Sequence, residues 1–232
     1  MFYWDPMYFV FALPALLLAF WAQMRVRSAY NKYLKVPNSR GISGGEAAER
    51  LLSSQGLSGV GIEGTPGTLT DHYDPRDKTL HLSQGVAYGK SVAAVSIVAH
   101  EVGHAVQDAT QYAPMRLRTG IVGLVTVSSW LGPLIFIGGM LFNSSSLSWV
   151  GLILFSSSVL FALVTLPVEL NASQRALQML TSSGLLVTSD EQNGARTVLN
   201  AAAWTYVAAL AQVLATLLYY VTILSGSSRR RR

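Results

Sequence analysis

Cysteine is absent from all 232 residues. Disulfides and thiolate metal sites are therefore excluded, and redox chemistry says nothing about compartment. Charge is also scarce: Asp, Glu, Lys and Arg make up 12% of the chain, against about 25% in ordinary soluble domains. Half of the residues are hydrophobic and mean hydropathy is +0.36, which points to a membrane protein. Only four histidines are present, so imidazole chemistry must draw on His72, His81, His100 and His104. The net charge of +5 misleads, because four arginines form the terminal run Arg229 to Arg232. Without them the chain stands at +1, and a nucleic-acid partner has little support.

What the chain has instead is long uncharged runs. Pro6 to Met24, Gly120 to Phe142, Ser146 to Val168 and about Leu199 to Leu224 are each long enough to cross a bilayer as a helix. No basic residue precedes the first run, while Arg25, Arg27, Lys32 and Lys35 follow it. That is the reverse of a secretory signal peptide and predicts a retained anchor with its N-terminus outside. Tyr3, Trp4 and Trp21 are the aromatic types that gather at membrane interfaces. Arg25 to Val36 should continue as a basic helix on the membrane surface. The segment NSSSLS between the second and third runs leaves room only for a tight turn, so these two form a hairpin across the bilayer. Ser189-Asp190-Glu191-Gln192 has capping-box form and should open the helix that becomes the last run.

Four crossings leave eight basic residues near inner span ends and four outside, all in the terminal run. The positive-inside rule thus favours a cytoplasmic site in a multi-pass cell-membrane protein, with Arg229 to Arg232 the one feature against it. The expected organisation is an anchor with basic surface helix (1–36), a cytoplasmic α+β domain (37–119), a transmembrane hairpin (120–168), a connecting helical segment (169–198) and a C-terminal span with basic tail (199–232).

Within 37–119, Ser43-Gly44-Gly45-Glu46 is a capping box for a short helix ending near Gly56. Strands are expected near Val60–Glu63, Thr68–Tyr73 and Lys78–Ser83, with Asp74-Pro75-Arg76-Asp77 as a hairpin turn. The stretch Ser91 to Asp108 follows. Val92, Val95, Ala99, Val102 and Val106 recur at helical spacing, and Ser91 suits an N-cap. It contains His100-Glu101-Val102-Gly103-His104, the pattern H-E-x-x-H. Four residues are about one helical turn, so the two imidazoles leave one face roughly 6 Å apart along the axis. That suits two ligands of one zinc ion, and Glu101 beside them can take a proton from its water.

A catalytic zinc takes a third protein ligand. Asp108 lies about 12 Å from His100 by helical rise, too far to share its ion. Glu169 is the better candidate: it stands at the end of an apolar run, where a carboxylate is costly unless paired or bound to a cation. Ala172, Ser173 and Ala176 share its helical face and are small enough to admit another helix.

The pairing of H-E-x-x-H with the later segment Glu169-Leu170-Asn171-Ala172-Ser173-Gln174-Arg175-Ala176 resembles the Glu-zincin membrane peptidases, including the HtpX protease and the CAAX prenyl proteases. The runs LTDHYDPRDKTLHLS, VAHEVGHAVQDA and LPVELNAS are closer to the bacterial YugP-type membrane zinc metallopeptidases, a likeness extending from about Tyr30 to the final helix. It implies one zinc on His100, His104 and Glu169, with Glu101 as general base. An Asp often stands four residues after the ligand Glu in the wider pattern, where it orients a ligand His. Ser173 stands there in this chain, so Ser173 or another group such as Asp108 must serve. His72, Tyr73 and Arg175 are candidate oxyanion donors that the sequence does not separate. By family analogy the strand Thr79-Leu80-His81-Leu82-Ser83 pairs with extended substrate, with His81 itself structural.

The expectation is a mainly α membrane protein of about four transmembrane helices with a small α+β zincin-like domain carrying the H-E-x-x-H helix. Its expected activity is hydrolysis of peptide bonds in membrane-associated or unfolded polypeptides by a zinc-activated water. The alternative is a non-catalytic zinc-containing scaffold or regulator that binds polypeptides.

Overall fold

The structure is a computed structural model that describes residues 6–229, with side chains to residue 226. Tyr3, Trp4 and the side chains of Arg229 to Arg232 lie outside the described residues. Among the described residues seven helices and three strands follow in order: α1 (Pro6–Tyr33), α2 (Gly44–Ser54), β1 (Gly61–Thr65), β2 (His72–Asp74), β3 (Thr79–Ser83), α3 (Gln84–Ala87), α4 (Val92–Ala109), α5 (Ala113–Leu141), α6 (Ser145–Ser182) and α7 (Ser189–Arg229). The fold is mostly helical with one small sheet. Helices α1, α5, α6 and α7 are long and apolar enough to cross a membrane. Each runs past its uncharged stretch, because helix propensity does not stop where charge begins. The chain does not break between Met24 and Arg25: the basic segment is the last part of α1.

Two compact units are present. The first comprises the residues before Gln23, Leu117–Leu166 and the chain from Thr205 onward. Here α5 and α6 meet through glycine. A Cβ on Gly132 would stand 2.7 Å from the Phe155 nitrogen, and one on Gly151 would collide with the backbone of Phe136. Without a hydrophobic force between helices in lipid, such close backbone approach supplies the packing. The turn between them closes on Asn143 at φ 53°, with the Ser144 N–H bonded to the Gly139 carbonyl at 2.8 Å, as a helix C-cap requires. Tyr220 of α7 stacks on Phe136 with ring centroids 4.1 Å apart. Leu124, Trp130, Leu134 and Ile153 point outward, as side chains do when the solvent is lipid.

The second unit holds Gln23–Arg116 and Pro167–Trp204. Its centre is α4, whose Val92, Val95, Val98, Ala99 and Val102 are fully buried against Leu51, Leu80, Leu82, Val86, Val168 and Ala176. Ser91 caps α4 by accepting from the Ala94 N–H. Both halves of the box at Ser43 and Glu46 form on α2. For α7 the capping residue is Thr188, one position before the sequence pattern places it. Its hydroxyl accepts the Glu191 N–H at 3.2 Å, and the Glu191 carboxylate takes the N–H groups of Thr188, Val187 and Ser39. Three backbone donors outweigh the local pattern.

The sheet has the order β1-β3-β2, with β1 parallel and β2 antiparallel to β3. This corrects one expectation. Thr79, Leu80, His81, Leu82 and Ser83 form the central strand, bonded to β1 along its length and to β2 over Thr79 to His81. The Ser83 N–H is taken by Asp71 at 2.7 Å. A central strand has no free edge to offer a substrate, and the open edges belong to β1 and β2.

Candidate metal centre

Helix α4 carries His100 and His104 one turn apart, with ring centroids 4.8 Å apart and planes nearly perpendicular. Helix α6 lies against this face because Gly103 and Ala172 leave no side chain between the backbones. The approach delivers Glu169, 2% exposed. Its Oε2 lies 3.2 Å from Nε2 of His100 and 3.4 Å from Nε2 of His104. All three potential ligand atoms fall within 4.8 Å of one another, a group able to hold a metal ion.

The donor set can be tested against zinc. Ligands at about 2.0–2.1 Å in tetrahedral array are separated from one another by about 3.3–3.4 Å. The two nitrogen-to-carboxylate distances match that edge length. Two imidazoles and one carboxylate are also a donor set that leaves a fourth position open. The residues fit the ion.

Glu101 sits next to His100 and is buried. Its Oε2 accepts the Tyr73 backbone N–H at 3.1 Å, so the Tyr73 amide points away from β3 along the outer edge of β2. Burial pushes the Glu101 carboxyl above the usual carboxylate range, against the pull of His100 and His104. For His104 burial opposes protonation, but hydrogen bonding to Glu169 and its charge outweigh that and raise its proton affinity.

The second ring nitrogens have partners too. Nδ1 of His100 lies 3.2 Å from the Ser173 hydroxyl, and Nδ1 of His104 lies 3.0 Å from Oε1 of Gln107. Asp108 does not stand at a ligand imidazole. It accepts the Tyr73 hydroxyl at 2.8 Å and has Lys78 Nζ at 3.8 Å. Gln107 and Asn171 escaped the sequence reading; the one signal was that Gln107 stands three residues after His104, on the same helical face.

The three oxyanion candidates are separated by placement. His72 is exposed, and its ring stacks on His81 at 4.7 Å. Alternation along β2 puts it on the sheet face opposite Tyr73. The Tyr73 hydroxyl is committed to Asp108, and burial with that bond pushes its pKa up. Arg175 donates from Nε to Asn171 at 2.8 Å and lies 6.0 Å over the Tyr112 ring.

Residues 8–225 match the family described as "Putative neutral zinc metallopeptidase". The chain is also similar to the "Putative membrane protease YugP" of Bacillus subtilis (strain 168), with 48% identity over 218 residues, 94% of this chain and 96% of that protein. No solved structure matches the chain. A match over nearly the whole length, together with a His-His-Glu group of zinc-binding dimensions, places this chain in the neutral zinc metallopeptidase family, with zinc as its cofactor.

Proposed function

We propose that this chain is a membrane metalloendopeptidase of the Glu-zincin type, with His100, His104 and Glu169 holding zinc and Glu101 acting as general base. The observation that carries this reading is the setting of Glu101, a buried carboxylate beside a ligand imidazole and tethered to the edge strand β2. Zinc, when bound, supplies a Lewis acid that acidifies water and polarises the scissile carbonyl. Glu101 takes one proton from the attacking water as its oxygen bonds to the carbonyl carbon. It returns that proton to the leaving nitrogen as the C–N bond breaks. A carboxyl pushed upward by burial suits a group that must both accept and return a proton.

The outer edge of β2 can seat substrate backbone through the Tyr73 carbonyl, which projects on the same side as the N–H held by Glu101. An edge strand pairs with extended chain, so unfolded or membrane-associated polypeptides are the substrate class. Glu169 follows directly on the apolar run of α6, and the basic residues flanking the spans favour a site on the cytoplasmic side of the cell membrane. The α+β part of the second unit is read as a small zincin-like domain built on the H-E-x-x-H helix.

Glu101→Gln tests the reading in purified protein with a casein-type substrate. It should abolish cleavage and leave zinc content and folding unchanged. Persistent cleavage would sink the mechanism. Zinc bound by a wild-type protein that cleaves nothing would favour the scaffold alternative.

A further inference from the structure

The polar groups behind His104 form a chain whose direction can be read without ambiguity. Arg175 is always protonated and can only donate, so the Asn171 atom facing its Nε must be the carbonyl oxygen. The same oxygen lies 3.0 Å from the Gln107 amide, which must therefore present its nitrogen. The main-chain carbonyl of Val168, 2.8 Å from that nitrogen, can only accept and demands the same orientation. Oε1 of Gln107 then faces Nδ1 of His104 as an obligate acceptor. Gln107 is fully buried, so water does not compete for these bonds.

We infer that Arg175, Asn171 and Gln107 form a positioning relay that keeps Nδ1 of His104 protonated and turns its Nε2 toward Glu169. With Nδ1 committed to Gln107, Nε2 is the atom left to share a cation with Glu169 at 3.4 Å, a proton in the metal-free site and zinc when it binds, so the relay orients the ring before metal arrives. His100 lacks an equivalent. The Ser173 hydroxyl at its Nδ1 can donate or accept, so it imposes no tautomer. The inference rests on the zinc site proposed above, and it assigns the preorganisation of that site to one imidazole through residues that touch neither metal nor substrate.

The test uses the full chain in detergent, stripped of metal and titrated with zinc against a chromophoric chelator. Gln107→Leu removes the acceptor and should weaken zinc binding about ten- to a hundredfold. Asn171→Asp keeps an acceptor for both Arg175 and the Gln107 amide and should stay within about threefold of wild type. In metal-free protein labelled with 15N-histidine, wild type should show one solvent-protected Nδ1 proton belonging to His104. It should be lost in Gln107→Leu and kept in Asn171→Asp, a readout that a packing role would not move. Should Gln107→Leu fail to fold, Asn171→Leu replaces it and should likewise weaken zinc binding. Equal zinc affinity in Gln107→Leu and wild type, or in both Asn171 variants, overturns the relay alone. A wild-type protein whose zinc binding is untouched by Glu169→Ala overturns the site and the relay with it.

Discussion

Gly103 of α4 rests directly on Ala172 of α6: a Cβ at Gly103 would stand 2.7 Å from the Ala172 carbonyl oxygen and 3.3 Å from its Cα. These are main-chain atoms and cannot swing aside. The contact sets how far Glu169, three residues before Ala172, stands from the imidazoles on either side of Gly103. Gly103→Ala should therefore act twice. Forcing the helices apart should cost about 1–3 kcal/mol of stability, read as a lower unfolding midpoint, and should weaken zinc binding as well. A variant with wild-type zinc affinity would show that the contact does not govern the site.

Removal of the carboxylate tests the third ligand. Glu169→Ala should lose most bound zinc in elemental analysis, whereas Glu101→Gln should retain it. Undiminished occupancy in Glu169→Ala would mean that another residue completes the site.

Zinc held by His100, His104 and Glu169 would join α4 to α6, so its removal should loosen the unit that contains both. A ligand present at a hundred times its dissociation constant stabilises the native state by about 2.7 kcal/mol. Chelation should lower the thermal midpoint of wild type, and the same chelator should leave Glu169→Ala unmoved. Equal shifts in the two proteins would contradict metal linkage through this site.

Tyr73 divides its work between backbone and side chain. Its N–H holds Glu101 and its hydroxyl holds Asp108. If the hydroxyl only anchors β2, Tyr73→Phe should cost about 1 kcal/mol of stability and less than tenfold in kcat. An oxyanion donor removed by the same change would cost on the order of a hundred- to a thousandfold in kcat. The size of the loss decides between the roles.

The cap of α2 should respond to acid. Hydrogen bonds from Ser43 hold the Glu46 carboxyl below its ordinary value, so the folded state prefers the carboxylate. Its contribution is fully present above the unfolded carboxylate pKa and is lost as pH falls through the lower folded value. Ser43→Ala should raise the Glu46 pKa toward that of a free carboxyl, as read by NMR titration.

Much of the site was legible because it is local. H-E-x-x-H offers two candidate ligands and a candidate base through helical periodicity, and a lone carboxylate after an apolar run is conspicuous on energetic grounds. Ala172, Ser173 and Ala176 announced a close helix partner, and Gly103 proved to be what Ala172 meets. The relay residues were harder to find, since Gln107 and Asn171 are ordinary polar residues until two helices bring them together across 64 positions.

The sheet shows the opposite case. Three β-prone runs and a turn can be read from local residues, and the hairpin of β2 with β3 follows from Asp74 to Asp77. Which strand lies in the middle depends on where β1 docks, and nothing local encodes that. The apolar face of β3 packs on α4 through Leu80 and Leu82, which draws it to the centre and leaves β2 at the edge beside Glu101.

Sequence alone therefore determined the chemistry: an apolar chain without thiols, two imidazoles and a carboxylate on one helical face, and a second carboxylate after an apolar run. Tertiary structure decided everything that depends on distance between elements. It chose which strand keeps an open edge, which side chain stands behind each imidazole, and how near Glu169 comes to them. The reason is physical: periodicity orders residues along one helix, but only packed backbones, here Gly103 against Ala172, set the ångströms between two.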